Sequence, residues 1–281
     1  SEQATNNYIN VCDTKDNIGS LVHFVTDDSY THAILINDAM PALTVPKRNV
    51  IGMSCEPYAI NGALYSRPDF VAYLRKHARQ YFVGKLGGLP SDVFVPHYSF
   101  MWHKWQRPNE GQTYDKKYNM SIVLSKKAFL PGHKYRHTLV ESILKTDMDI
   151  HVWGRGSAQY GTDSRLKREF NDAEPYEQYK FTIVIENSCE DGYVSEKYTD
   201  AIGYNCVCLY LGCPNIKNIF GNKCCIPLTG NITLDMEIIR RVYTDPDKYT
   251  LDMKTAKHEL YHGRAYLPAF LVEYFALQMR K

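Results

Sequence analysis

Short apolar runs closed by polar turns alternate with helix-spaced apolar patterns along most of the chain. In the first third, residues 21–25, Ala33–Ile36 and Val50–Met53 read as strands. A helix is expected from Pro68, where Phe70, Val71, Leu74 and Ala78 recur at helical spacing behind a proline suited to the first turn. Residues 101–117 are polar and aromatic, interrupted by Pro108 and Gly111, and read as a linker. Beyond it the pattern is more regular: strand 120–124, helix 134–145, strand Ile150–Trp153, strand 181–185, helix 195–204 and strand 206–211. The last 25 residues read as one helix with a broad apolar face, kinked at Pro268.

Strand, helix and strand repeated with short connections imply parallel sheets with helical crossovers. The chain divides into an N-terminal lobe over 1–110, a second lobe over 115–255 and a C-terminal helix over 256–281. In open parallel sheets ligands bind beyond the carboxyl ends of the strands, and clefts between lobes are preferred sites. The loops after Met53, Leu124, Trp153 and Ile185 are therefore the places to look for chemistry.

Composition narrows the classes. The 281 residues carry 33 Lys+Arg against 31 Asp+Glu, a formal charge of +2, with 44% apolar and 23% charged residues. These globular values exclude disordered and fibrous chains, and the near-neutral balance argues against nucleic acid as a partner. No apolar run reaches the length of a membrane span, and the polar start has no signal-peptide pattern. The eight cysteines form no C-x-x-C pair, so buried free thiols are expected rather than a metal knuckle. Asp147-Met148-Asp149 has the letters of a divalent-metal motif but precedes a strand, so it reads as a turn and no metal ligands are assigned.

Chemistry concentrates after strand 181–185, in Glu186-Asn187-Ser188-Cys189-Glu190-Asp191-Gly192-Tyr193-Val194-Ser195-Glu196-Lys197. A strand end meeting a helix N-terminus offers unpaired N–H groups and a favourable dipole to an anion. Lys197 adds a point charge suited to phosphate, and Glu196 can accept from paired sugar hydroxyls, so the pattern suits a nucleotide. Local physics allows a plainer reading: Ser195 caps the helix, Glu196 favours its first turn, and Lys197 is solvated.

The segment Tyr179–Ile185 with Glu186-Asn187-Ser188, followed by Asp191-Gly192-Tyr193-Val194-Ser195-Glu196-Lys197, resembles the signature of the α-1,3/4-fucosyltransferase family, glycosyltransferase family 10. Leu209-Tyr210-Leu211-Gly212-Cys213-Pro214, Asp245-Pro246-Asp247-Lys248-Tyr249 and the turn after Trp153 resemble its further motifs. The resemblance implies a GT-B fold, two Rossmann-like lobes facing a central cleft, and an inverting transfer of L-fucose from GDP-β-L-fucose to a glycan acceptor. Carried over, Asn187, Tyr193, Glu196 and Lys197 contact the donor. Arg136 is the counterpart of a phosphate-binding arginine, with Lys134 as rival and an exposed helix position as the plain alternative. Met53-Ser54-Cys55-Glu56-Pro57 stands where the family has E-S-P, which makes Glu56 the general base, although proline follows the glutamate directly. Glu186 is the second catalytic candidate, as a charge facing the transition state or as a structural carboxylate.

Because no D-x-D motif stands in a strand-end loop, no obligatory metal or cofactor is expected, with stimulation by Mn2+ or Mg2+ left open. The paired cysteines of many Golgi members are not recognisable, which favours a cytoplasmic enzyme over a trimmed luminal domain. Two other readings stay open: a transferase of another GDP-hexose, rhamnose or mannose, and a non-catalytic nucleotide-sugar or glycan-binding module. A Rossmann dehydrogenase is disfavoured, because Gly154-Arg155-Gly156 lacks the third glycine of the dinucleotide fingerprint.

Overall fold

A computed structural model of the protein describes residues 22–97, 108–171 and 173–279. Two parallel sheets carry the two lobes. The N-terminal sheet orders β1 (Ala33–Ile36), β2 (Val50–Met53), β3 (Gln80–Val83) and β4 (Phe94–Pro96) in sequence. Helices α1 (Tyr58–Tyr65) and α2 (Pro68–His77) connect β2 to β3, and Phe70 and Leu74 of α2 are buried against the sheet. The expected strand at 21–25 does not form: its described residues 22–25 are irregular, and Val22 and Phe24 are only partly buried beside the C-terminal helix. Residue 21 and positions 101–107 of the expected linker lie outside the described residues.

The second sheet runs β10 (Ile226–Pro227), β9 (Val207–Leu211), β8 (Tyr179–Ile185), β5 (Tyr118–Val123), β6 (Ile150–Trp153), β7 (Leu166–Arg168). This is the doubly wound order in which the chain starts at the centre, builds one flank and then returns to build the other. β8 is central and buried on both faces, which its near-continuous run of aromatic and β-branched residues requires. Helix α3 (Pro131–Leu144) begins three residues before the expected start at 134, because Pro131 occupies its first turn. Helices α4 (Glu196–Gly203), α5 (Ile216–Phe220) and α6 (Ile232–Thr244) cover the sheet, and Leu139, Val140 and Ile143 of α3 join Ile239 and Val242 of α6 in one core.

The C-terminal segment is two helices rather than one. α7 (Lys254–Tyr261) buries Ala256, Leu260 and Tyr261 in the second lobe. The chain then breaks, and α8 (Leu267–Met279) places Leu267, Phe270 and Leu271 on Ile51, Met53 and Phe82 of the first. Pro268 does not kink a continuous helix; it stands in the first turn of a new one, where its missing N–H costs nothing. The described cysteines are free thiols, and Cys206 and Cys208 share one buried cluster, as alternation along a strand requires.

Candidate active site

The strand order of the second sheet reverses between β5 and β8, the point at which such sheets bind ligands beyond their carboxyl ends. Gly132 lets the start of α3 press against the end of β8. A Cβ there would stand 1.8 Å from the Glu186 carbonyl oxygen, and the Gly132 N–H donates to the Asn187 carbonyl at 3.1 Å. One turn on, Arg136 points into this junction and is 3% exposed. It is therefore not the exposed helix residue that its position in the sequence allowed, whereas Lys134 is exposed. The Arg136 Nη2 donates to the Ile185 carbonyl at 2.7 Å and to Asn187 Oδ1 at 3.1 Å. Its Nε is buried without a hydrogen-bond partner. A buried donor on a cation is costly to leave unpaired, so an open Nε marks a place for an acceptor. Burial pulls the guanidinium below its ordinary value, against the opposing fields of Glu186 and Glu196.

The loop after β8 folds back so that Glu186 meets the start of α4. Glu186 is fully buried, and its two oxygens accept from the Ser195 N–H at 2.9 Å and the Ser195 hydroxyl at 2.6 Å. Gly212 makes room, since a Cβ there would lie 2.4 Å from Glu186 Cγ. Ser195 caps α4. Lys197 is not solvated: its Nζ donates to Ser195 Oγ and Glu196 Oε1, both at 3.0 Å, and lies 3.9 Å from Glu186 Oε2. Burial pushes the Glu186 carboxyl up, with Lys197 and Ser195 opposing. Burial alone would also raise Glu196, but Lys197 holds its carboxyl below the ordinary value. The Asn187 side chain donates to the Tyr193 hydroxyl at 3.5 Å. Arg136, Glu186, Asn187, Tyr193, Glu196 and Lys197 thus form one cluster.

Glu56 comes from the other lobe, in the loop between β2 and α1. It lines an interlobe cleft with Tyr58, Lys85, Glu190 and Tyr193. Its side chain is open to the cleft, yet the surrounding walls exclude enough water to push its carboxyl up, with Lys197 opposing and Glu196 adding. It therefore faces the cluster across the cleft.

Sequence reasoning did not single out His133, Lys127 or Glu190. His133 is 2% exposed, accepts the Leu130 N–H at Nδ1, and is pushed down to about 4 by burial and by Arg136, Lys127 and Lys197. It is neutral beside these cations. No motif reported it, although its place three residues after Leu130 fits a first-turn contact. A larger cavity of about 420 Å³ lies at the ends of β6 and β7, lined by Lys126, Arg155, Asp163 and Arg168. None of the predicted residues reaches it, and Arg155 is already paired with Glu169 at 2.8 Å. Asp147 and Asp149 precede β6, at the amino ends of the parallel strands, whereas the cluster lies beyond the carboxyl ends. Among the described residues no group of three or more His, Cys, Asp or Glu side chains could hold a metal.

Residues 114–229 match the family described as glycosyltransferase family 10 (fucosyltransferase), C-terminal part. The match covers under half of the chain and includes the strand and helix start that carry the Glu186–Lys197 loop. A putative fucosyltransferase-like protein of Arabidopsis thaliana is 24% identical over 159 residues, 57% of this chain and 28% of the relative, so the chain spans under a third of that protein's length. An α1,3-fucosyltransferase solved with GDP superposes on all of this chain and 87% of its own at 13% identity and a TM-score of 0.55. A further α1,3-fucosyltransferase structure does so at 13% identity and 0.54. These likenesses show the GT-B fold. The matched segment contains every cluster residue from Arg136 to Lys197, while Glu56 lies outside it.

Proposed function

We propose that this protein transfers L-fucose from GDP-β-L-fucose to a hydroxyl of a glycan acceptor with inversion at the anomeric carbon. The observation that carries this reading is the buried, unpaired Nε of Arg136 at the reversal point of a doubly wound sheet, with Lys197 in the first turn of the helix that follows the central strand. Two cations, one at the start of α3 and one at the start of α4, suit a diphosphate, and they matter most as charge develops on the leaving group. Glu196 takes the ribose hydroxyls, and Asn187 and Tyr193 orient the donor between them. Glu186, enclosed by Ser195, keeps the first turn of α4 and Lys197 in place rather than touching the sugar.

The chemistry is a single displacement. An acceptor hydroxyl attacks the anomeric carbon, the bond from that carbon to the diphosphate oxygen breaks, and the Glu56 carboxylate takes the hydroxyl proton. A base whose pKa is raised toward the working pH is better matched to that transfer. Arg136 and Lys197 neutralise the departing GDP, so no divalent ion is required; chelation with EDTA should leave transfer measurable. The free thiols fit a cytoplasmic setting, where disulfides are rare. Product detection after incubating the chain with GDP-fucose, GDP-mannose or GDP-rhamnose and an array of glycans tests the assignment. Transfer from another GDP-hexose alone would replace the donor, and GDP binding without turnover would favour a binding module.

A further inference from the structure

The first turn of α1 has no cap of its own. Its N-cap residue is Pro57, which has no side-chain acceptor, so the leading N–H groups of the helix need a partner from elsewhere. The partner comes from the other lobe. Glu190, in the loop between β8 and α4, accepts the Tyr58 N–H at 2.6 Å on Oε2 and the Ala59 N–H at 3.1 Å on Oε1. The Ser188 hydroxyl donates to the same Oε1 at 2.5 Å and holds the carboxylate in that pose. A carboxylate at a helix N-terminus also meets the favourable end of the dipole. Beside this contact the lobes touch backbone to backbone: a Cβ on Gly84 would stand 2.8 Å from the Asp191 carbonyl oxygen.

Glu56 directly precedes Pro57, and its loop is tied to the same helix. Ser54 Oγ donates to the Glu56 carbonyl at 2.8 Å, Asn61 of α1 donates to Ser54 Oγ at 3.0 Å, and Asn37 Oδ1 accepts from both Cys55 N and Asn61. The Glu56 loop and the first turns of α1 are therefore one hydrogen-bonded unit. Glu190 grips that unit from a loop that begins with Glu186 and Asn187 and ends at Ser195. We infer that Glu190 is a positioning residue, a clamp that fixes the lobe carrying Glu56 against the donor-binding loop and so sets the distance between base and donor. This rests on the function proposed above only for the consequence in catalysis; the clamp itself is a contact between lobes.

The experiment compares the whole chain with Glu190→Ala and Glu190→Gln, the latter keeping one acceptor oxygen. GDP affinity by calorimetry should stay within about 2-fold in both variants, because the donor cluster is untouched. The kcat for transfer should fall at least about 10-fold in Glu190→Ala and less in Glu190→Gln. A hydrogen-exchange measurement without substrate should show the 54–61 stretch exchanging at least about 10-fold faster in Glu190→Ala, with the helices of the second lobe unchanged. Wild-type kcat in Glu190→Ala, or a loss of GDP affinity that parallels kcat, overturns the inference. Unchanged exchange over 54–61 overturns it whether or not the protein turns over. A wild-type chain that moves no sugar overturns the transferase reading instead, and the exchange result then decides the clamp alone.

Discussion

Replacing Arg136 by lysine keeps the charge and removes the planar fork. In the structure the guanidinium divides its donors: Nη2 serves the Ile185 carbonyl and Asn187 Oδ1, and Nε is buried unpaired. A single ammonium on a shorter reach cannot hold both protein acceptors and also present a donor to a diphosphate. One charge-assisted hydrogen bond is worth about 1.5–3 kcal/mol. That predicts a GDP dissociation constant raised about 10- to 150-fold, from about 1.4 kcal/mol per factor of ten. GMP, with one phosphate fewer to meet, should lose less. Calorimetric titration with both nucleotides reads the difference, and a melting curve without ligand confirms that the variant is folded. Lys197→Ala in parallel should weaken GDP by a similar factor. If folded Arg136→Lys binds GDP as tightly as the wild type, the open Nε is not the diphosphate contact and the placement of the donor is wrong.

Glu56→Gln should leave GDP affinity unchanged and lower transfer by about 10²–10⁴-fold, measured by product formation at saturating donor. Because the base acts as a carboxylate and its pKa is raised above the ordinary 4.5, wild-type activity should fall with decreasing pH along a limb displaced upward, and the variant's residual rate should lose that limb. Gly212→Ala forces a methyl group to within 2.4 Å of Glu186 Cγ and 2.6 Å of the Tyr210 hydroxyl; it should cost about 1–3 kcal/mol in denaturant melts, and a change below about 0.5 kcal/mol would contradict the packing. Asp163 is held down to about 2 by Arg165, which itself donates to the Leu144, Thr146 and Met148 carbonyls at 2.9 Å, at the end of α3 and in the turn after it. A lowered folded pKa stabilises the protein above the unfolded value near 3.8 and loses that contribution as pH falls toward 2. Asp163→Asn should therefore be less stable than wild type at pH 7, with the gap closing by pH 2 in denaturant titrations.

Local rules along the chain determined much of this protein. Short, near-continuous apolar runs fix β2, β5, β6, β8 and β9, because a strand buried on both faces leaves little choice of residue. Ser195 before Glu196 marks the start of α4, since a cap answers to its own helix turn. Glu196 and Lys197 were legible for the same reason, at the start of one helix, whereas Asn187 and Tyr193 were singled out only by the resemblance to a known family. Tertiary structure alone decided what depends on partners distant in sequence. Arg136 is buried because Gly132 and the end of β8 meet, a contact across some fifty residues that helical periodicity does not report. The C-terminal segment splits because its two halves bury their apolar faces in different lobes, which an unbroken apolar pattern cannot reveal. Glu190 reads in sequence as an ordinary loop carboxylate, and its role exists only because a proline-capped helix from the other lobe brings two unpaired N–H groups to it.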